Sequence, residues 1–191
     1  MSDNQPFYQM TPDVVIDAVE SQGWLSDYRI LELNSYENRV YQVGIEAGQP
    51  IIAKFYRPNR WSDAQIQEEH DLCFELVEQE LSVVAPLRDK QGRSLFIHGD
   101  YRFALYPRRG GRAPELDDMD HLFSLGQTLG RMHAVGASRP FTARPRLDVQ
   151  SFGWDNREFI LQNFLPRTLR EAYERISEDI LRQVETRFSV Y

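Results

Sequence analysis

The stretch IIAKFY, residues 51–56, places a lysine in the middle of a predicted strand, directly before the best-marked helix of the chain. Branched and aromatic residues favour the strand. Ser62 and Gln65 have the spacing of a capping box, so we expect a helix that begins there and runs to about Glu80. This strand and helix together limit the fold to the classes that mix both kinds of element.

Further elements surround this pair. A helix is predicted after Thr11, which is followed by Pro12 at the first helical position. Segments rich in branched and aromatic residues predict strands at residues 29–33, 40–45, 83–87, 94–98 and 101–106. His98-Gly99-Asp100 has the letters of a catalytic triplet but lies between two strand-like segments, so we interpret it as a hairpin turn. The prediction is an α+β fold with an antiparallel sheet.

The composition changes at the glycine- and arginine-rich segment 107–112, which we interpret as a connector between two lobes. Asp117 or Asp118 caps a helix beyond it, and an amphipathic pattern over residues 169–188 predicts the last helix. The predicted domains are therefore residues 1–107, with the sheet, and residues 108–191, with helices.

The bulk properties exclude several classes of protein. With 191 residues and a net charge of −7, the chain is a poor candidate for binding nucleic acid or an anionic membrane. Its one cysteine, Cys73, excludes an internal disulfide framework. The N-terminal residues lack the pattern of a secretory signal, and no window approaches the ~18 apolar residues of a membrane span. We expect a cytoplasmic protein.

Lys54 is the first candidate site residue. A lysine inside an apolar strand either lies in solvent or contacts a buried anion. Glu69 lies three residues after Ile66 and four before Cys73, on the apolar side of the predicted helix, and such a carboxylate needs a partner. Glu68 is the alternative partner, and the sequence leaves the choice open. A strand lysine held by a helix glutamate is how protein kinases present a lysine to ATP.

Two further segments are candidates for binding a nucleotide. The polar stretch from Asn34 to Arg39 connects two strands, and Asn34 and Ser35 offer backbone N–H groups and short polar side chains that suit phosphates. An ordinary polar hairpin is the alternative. The connector from Tyr106 to Arg108 has backbone groups that an adenine ring could pair with.

The segments LNSYENRVYQV, AKFYRPNRW with QIQEEH, ALYPRRGGR and LGRMH together resemble the bacterial stress response kinase A family. These are serine/threonine protein kinases of the aminoglycoside-phosphotransferase-like superfamily. The resemblance covers almost the whole chain; NSYENRVYQ and KFYRP-x-RW are specific to the family, whereas LGRMH is shared loosely by the superfamily.

The resemblance implies a two-lobed protein-kinase-like fold and ATP- and magnesium-dependent transfer of phosphoryl groups to serine or threonine of proteins in the stress response. It implies a monomer in the cytoplasm. It also implies that Ser35 contacts ATP, that Lys54 binds the phosphates and that Glu69 is the partner of Lys54.

The family's catalytic loop, an HGD-x-H-x-x-N type run, and the acidic metal ligand that follows it have no counterpart in this sequence. We therefore expect the catalytic residues and the magnesium ligands beyond Tyr191, and an inactive chain without them. Two alternatives remain: a kinase of small molecules such as aminoglycosides, choline or homoserine, and a non-catalytic module that binds nucleotides or partners.

Overall fold

The computed structural model describes residues 7–188. The chain divides into two compact units, Met1–Ala143 and Arg144–Tyr191. The first unit contains the sheet and three helices among the described residues. None of the helices over residues 7–188 is both long enough and apolar enough to cross a membrane.

The described residues form five strands: β1 Ser26–Leu33, β2 Arg39–Ile45, β3 Ile51–Phe55, β4 Phe96–His98 and β5 Tyr101–Pro107. They make one antiparallel sheet in the order β1-β2-β3-β5-β4. The α+β class and the protein-kinase-like sheet predicted from the sequence are confirmed. β3 lies in the middle of the sheet, because β2 and β5 pair with it on its two sides.

One face of the sheet carries the main hydrophobic core. Helix α1, Pro12–Glu20, begins at the predicted cap, where the hydroxyl of Thr11 accepts from the backbone N–H of Val14. Its Val15 and Val19 are fully buried and pack with the sheet residues Phe55 and Phe103. Side chains on alternate positions of β3, including Ala53, face this core.

Helix α2, Asp63–Glu78, contributes to a second cluster on the other face of the sheet. The predicted capping box is present: Ser62 accepts from the backbone of Gln65, and the Gln65 side chain accepts from the backbone of Ser62. Ile66 is fully buried and packs with Tyr56 and Ala104. The cap therefore sets where the helix begins, and Ile66 anchors its first turn.

The prediction of a strand at residues 83–87 is wrong. The segment is irregular, and the N–H of Leu87 donates to the carbonyl of Leu105, 2.7 Å away. Pro86 has no N–H to donate, so a regular ladder cannot form through it.

The HGD triplet does form the predicted turn between β4 and β5, with Gly99 in the left-handed region at φ 55°.

Helix α3, Met119–Ser138, is capped by Asp118, which accepts from the backbone of Asp120 and His121. It buries none of its residues in the described structure. Side chains of α2 hold the segment that follows α3. Arg139 lies 2.8 Å from Glu75, and Gln65 donates to the carbonyl of Ala143 at 3.0 Å. The lobe boundary predicted between residues 107 and 108 stays a prediction.

The second unit is helical. A π-helical turn at Gln150–Trp154 leads into α4, Asp155–Asn163, and a short 3-10 turn at Arg167–Leu169 leads into α5, Arg170–Phe188. Arg157 of α4 donates to the hydroxyl of Ser177 at 2.9 Å and to the carbonyl of Glu174 at 3.1 Å, which fastens α4 to α5. The sequence pattern predicts α5 but not α4, because α4 buries only Leu161 and has no side-chain cap.

Candidate functional site

Lys54 lies at the centre of the sheet. In the register of the strands it stands opposite Val40 of β2 and Ala104 of β5. Its side chain shares a face with Ile52 and Tyr56, because side chains two residues apart in a strand lie on the same side. That face carries the cluster to which α2 contributes Ile66. Sheet register and strand alternation therefore direct the lysine away from the main core.

The ammonium of Lys54 binds Glu69 of α2. Lys54 Nζ donates to Glu69 Oε1 at 2.7 Å, and the two side chains are 23% and 31% exposed. The ammonium also lies 4.7 Å from the centre of the Tyr56 ring, within the range of a cation–π contact. The side chain is thus held between a carboxylate and an aromatic face and does not extend into bulk water.

Glu68, the alternative partner, has a different role. Its carboxylate accepts from the backbone N–H and the hydroxyl of Thr142 and from the backbone N–H of Ala143, the last at 3.0 and 3.1 Å. Consecutive residues of a helix differ in direction by ~100°, so the two glutamates serve different neighbours. The choice that the sequence left open is settled in favour of Glu69.

A cavity of about 370 Å³ opens beside the Lys54–Glu69 pair. Its walls are largely apolar, with the ion pair and one further arginine as the charged groups: Val40, Ile52, Cys73, Val84, Tyr106 and Pro107, with Lys54, Glu69 and Arg109. Apolar walls with a few well-placed polar groups are typical of small-molecule sites. The arrangement suits a flat apolar group next to an anion.

The cavity brings together three of the six predicted site residues, Lys54, Glu69 and Tyr106. Asn34, Ser35 and Arg108 are exposed and are not among its lining residues. The lining does include Val40, which follows the polar loop, and Pro107 and Arg109, which flank Arg108. Contact of the three exposed residues with a nucleotide stays a prediction.

The loop between β1 and β2 is braced from within and from the segment after β3. Ser35 donates to the carbonyl of Asn38 at 2.6 Å, and the side-chain carbonyl of Asn38 accepts from the backbone of Arg57 at 3.2 Å. The carboxylate of Glu37 accepts from the indole of Trp61 at 2.7 Å and from Arg60 at 3.0 Å. The polar residues of this loop therefore hold its shape.

These bonds act on the acidity of Glu37. Partial burial alone would raise the pKa of the carboxyl, but the bonds from Trp61 and Arg60 stabilise the charged form, and the pKa lies below its ordinary value. The carboxylate therefore stays ionised at neutral pH and keeps the loop attached.

Several lining residues are not among those predicted from the sequence. Ile52 lies two residues before Lys54 on the same face, and Cys73 lies one helical turn after Glu69, so ordinary periodicity could have identified both. Val40 and Val84 come from other parts of the chain. They reach the cavity only through strand register and the course of an irregular segment, which local patterns do not specify.

A larger cavity, of about 520 Å³, lies between the turn at Ser21–Trp24 and the segment 87–93. Its charged residues include Arg93 and Asp89, which bind each other at 2.7 Å. Size alone does not mark a functional site. We assign the candidate site to the smaller cavity, because a partly buried lysine and its carboxylate line it.

Within the described residues, a group of possible metal ligands occurs at the start of α3. Ligand atoms of Glu115, Asp118 and His121 lie within 4.8 Å of one another. Glu115 and His121 are exposed, and Asp118 is already engaged in capping α3. Exposed acidic groups often lie this close without an ion, so we do not assign a metal site here.

The sheet, the strand lysine with its helix glutamate and the adjoining cavity are features of kinase-like phosphotransferases. The chain belongs to the phosphotransferase enzyme family, whose model matches residues 29–188.

Two bacterial kinases match this chain over almost its whole length. The serine/threonine protein kinase RdoA of Salmonella typhimurium is 39% identical over 186 residues, which are 96% of this chain and 56% of the relative. Stress response kinase A of Escherichia coli K12 is 36% identical over 179 residues, 93% of this chain and 54% of the relative. The chain thus spans little more than half the length of these relatives.

Two solved structures share the fold. The amicoumacin kinase hAmiN, in complex with AMP-PNP, Ca²⁺ and Ami, superposes with a TM-score of 0.64 at 21% identity, over 84% of this chain and 49% of that one. A microcompartment-associated aminopropanol kinase gives 0.54 at 16% identity, over 80% and 57% of the chains. These similarities confirm the kinase-like fold.

Proposed function

We propose that the cavity beside Lys54 binds ATP, and that the whole protein transfers a phosphoryl group to serine or threonine of proteins in a stress response. The observation that carries the proposal is the 2.7 Å contact between Lys54 and Glu69 at the edge of a largely apolar cavity. The names of the relatives support the stress response and the protein substrate.

The residues of the cavity suit the parts of ATP. An ammonium has three donors, so Lys54 can keep its bond to Glu69 and offer the remaining ones to phosphate oxygens. Val40, Ile52 and Val84 provide apolar contacts for the adenine ring. Asn34 and Ser35 would lie over the phosphates, and the backbone from Tyr106 to Arg108 would pair with adenine.

A divalent metal, Mg²⁺ by the family resemblance, would neutralise phosphate charge during transfer. We assign none of residues 7–188 as its ligand or as the catalytic base. The cavity residues would bind and orient the nucleotide, and the ammonium of Lys54 would stabilise the negative charge of its phosphates. A cytoplasmic location and a monomeric state stay predictions.

The test of ATP binding is a titration of the 191-residue chain with AMP-PNP, followed by calorimetry. We expect saturable binding in the parent chain and its loss in Lys54→Ala. Arg88→Ala is the matched control, because Arg88 lies outside the cavity and stacks on Phe74. Equal affinity in the parent and in Lys54→Ala would contradict the proposal.

A second candidate function is phosphorylation of a small molecule, because both solved neighbours are named as kinases of small molecules. Transfer of labelled phosphate should be measured on a peptide panel and on a panel of aminoglycosides, choline and homoserine. The protein used should include the coding sequence downstream of Tyr191. Labelling of peptides alone supports the first function, and labelling of a small molecule alone supports the second.

A third candidate, a non-catalytic nucleotide-binding module, shares the cavity but transfers nothing. Saturable AMP-PNP binding without transfer to either panel, in the protein with its downstream sequence, would support it.

A further inference from the structure

A network of four hydrogen-bonded polar side chains lies next to the Lys54–Glu69 pair. The hydroxyl of Tyr106 lies 3.3 Å from that of Tyr56, and the Tyr56 hydroxyl lies 2.7 Å from His70 Nε2. On the other side of the imidazole, Nδ1 lies 2.8 Å from the hydroxyl of Ser94. This network connects β5, the residue after β3, helix α2 and the segment before β4.

Three of these residues are almost completely buried. His70 is 0% exposed, Ser94 1% and Tyr56 2%. Burying polar groups is unfavourable unless they bond to one another, and a network in which each group has a partner favours one arrangement over others. Apolar residues could fill the same space, so volume alone does not explain the choice of these side chains.

The phenols of this network remain protonated. Burial raises the pKa of Tyr56 well above its ordinary value, and the neighbouring Tyr106 raises it further. Burial likewise raises the pKa of Tyr106. Tyr56 therefore keeps a neutral hydroxyl as the bonding partner of His70 across the physiological pH range.

The network meets the candidate site at three points. Tyr106 itself lines the cavity. Tyr56 follows Lys54 by two residues on the same face of the sheet, and the ring of Tyr56 lies beneath the ammonium. His70 directly follows Glu69 in α2. Because a helix is stiff, fixing His70 against Tyr56 also fixes the rotation of α2 and thus the direction in which Glu69 extends.

We propose that the hydrogen bond between Tyr56 and His70 positions Glu69 against Lys54. Tyr56 and His70 are then positioning residues, which act through the ion pair and need not contact a ligand. Ser94 holds the imidazole from its other side. The importance of this arrangement for nucleotide binding rests on the function proposed above, whereas its effect on the ion pair does not.

Tyr56→Phe is the appropriate variant, because it removes the hydroxyl and keeps the ring beneath Lys54. Tyr41→Phe is the matched control: Tyr41 is a half-buried tyrosine of β2 that packs edge-on to Phe55 in the main core. Ser94→Ala is a milder second variant that removes the outer hydroxyl of the same network.

Two readouts separate positioning from a general loss of stability. The first is the rate at which an amine-reactive ester acylates Lys54 without nucleotide, followed by peptide mass spectrometry. The second is the Kd for AMP-PNP. Both are measured well below the unfolding midpoint of each variant, so that unfolded chains do not contribute.

We expect faster acylation of Lys54 in Tyr56→Phe, because the carboxylate of Glu69 no longer shields the ammonium. The Kd should rise about fivefold, the loss expected for one neutral hydrogen bond. Ser94→Ala should shift both readouts in the same direction by less, and Tyr41→Phe should leave both unchanged. If Tyr56→Phe does not fold, Ser94→Ala alone decides the outcome.

Unchanged acylation in folded Tyr56→Phe, or in Ser94→Ala where Tyr56→Phe does not fold, would overturn the positioning role, even where the unfolding midpoint falls. The acylation readout needs no nucleotide. If the parent chain fails to bind AMP-PNP while Tyr56→Phe still exposes Lys54, the proposed ATP site is wrong and the positioning role stands.

Discussion

Glu68 and Glu69 are neighbours in α2, but one carboxylate binds backbone N–H groups and the other binds a charged side chain. Glu69 accepts from the ammonium of Lys54, whereas Glu68 accepts from backbone N–H groups after α3. One helix therefore holds a charged side chain of the sheet and a backbone segment after α3 through consecutive residues. The two roles can be separated by substitution.

Glu69→Gln should weaken nucleotide binding with little change in the fold. An amide keeps the shape of the side chain and can still accept a hydrogen bond, but it lacks the negative charge that attracts the ammonium of Lys54. Because the pair is partly exposed, we expect a loss of about 1 kcal/mol, or about fivefold in the Kd for AMP-PNP. Calorimetric titration measures this, and an unchanged Kd would remove Glu69 from the site.

Glu68→Gln should have the converse effect. The backbone N–H groups of Thr142 and Ala143 lose a charged acceptor, so we expect their hydrogen exchange to become faster and the unfolding free energy to fall by about 1 kcal/mol. The Kd for AMP-PNP should stay close to that of the parent. Unchanged exchange at both amides would show that Glu68 does not hold this segment.

Ser35→Ala tests the loop between β1 and β2. The hydroxyl donates to the carbonyl of Asn38, so its loss should make the loop less ordered, and any bond to phosphate is lost as well. A hydrogen bond to a charged group is worth about 1.5–3 kcal/mol, which sets the upper limit of the loss in nucleotide binding. Ser35→Thr, which retains the hydroxyl, should restore most of it.

An affinity in Ser35→Ala equal to that of the parent would exclude Ser35 from the nucleotide site. Its bond to Asn38 would then serve only the shape of the loop.

Stability should depend on pH through Glu37. The pKa of Glu37 in the folded protein lies below its ordinary value of ~4.3, so the unfolded chain binds more protons between the two values. The stabilisation is fully present above the ordinary pKa and is lost as the pH falls through the lower, folded value. Unfolding free energies measured from neutral to acidic pH should show this loss.

Glu37→Gln should be less stable than the parent at neutral pH, and the difference should shrink on acidification. Glu46→Gln, at an exposed turn after β2, is the control and should follow the parent. A difference that stays constant across this pH range would show that the carboxylate of Glu37 does not contribute through its ionisation.

Gly44 should not tolerate a side chain. A Cβ there would lie 2.1 Å from Asp27 Oδ1, at the bulge where the register between β1 and β2 shifts. Crowding of this kind costs about 1–3 kcal/mol, so Gly44→Ala should lower the unfolding free energy by that amount. Denaturant unfolding measures the change, and Gly48→Ala is the control because its nearest neighbour lies at 3.9 Å.

The double variant Asp27→Ala with Gly44→Ala should lose less stability than the sum of the two single variants, because the clashing carboxylate is gone. Strict additivity would show that Asp27 is not what Gly44 accommodates.

Local signals predicted much of the sheet and the helix starts. The caps at Thr11 and Ser62 and the turn at Gly99 were recognised because their residues determine the backbone nearby. The two failures have different causes. The segment 83–87 has the composition of a strand but lacks a ladder partner through Pro86, and α4 is helical with little amphipathic pattern.

Local signals predict a lysine-bearing strand followed by a capped helix with two adjacent glutamates, because strand alternation and capping act within a few residues. Packing between distant parts of the chain brings Glu69 to Lys54, adds Val40 and Val84 to the cavity, and buries His70 against Tyr56. The positions of Glu69 and His70 depend on how α2 is rotated against the sheet, whereas those of Val40 and Val84 depend on strand register and on the course of the segment 83–87. That rotation is set by packing between residues far apart in the chain, which no local pattern encodes.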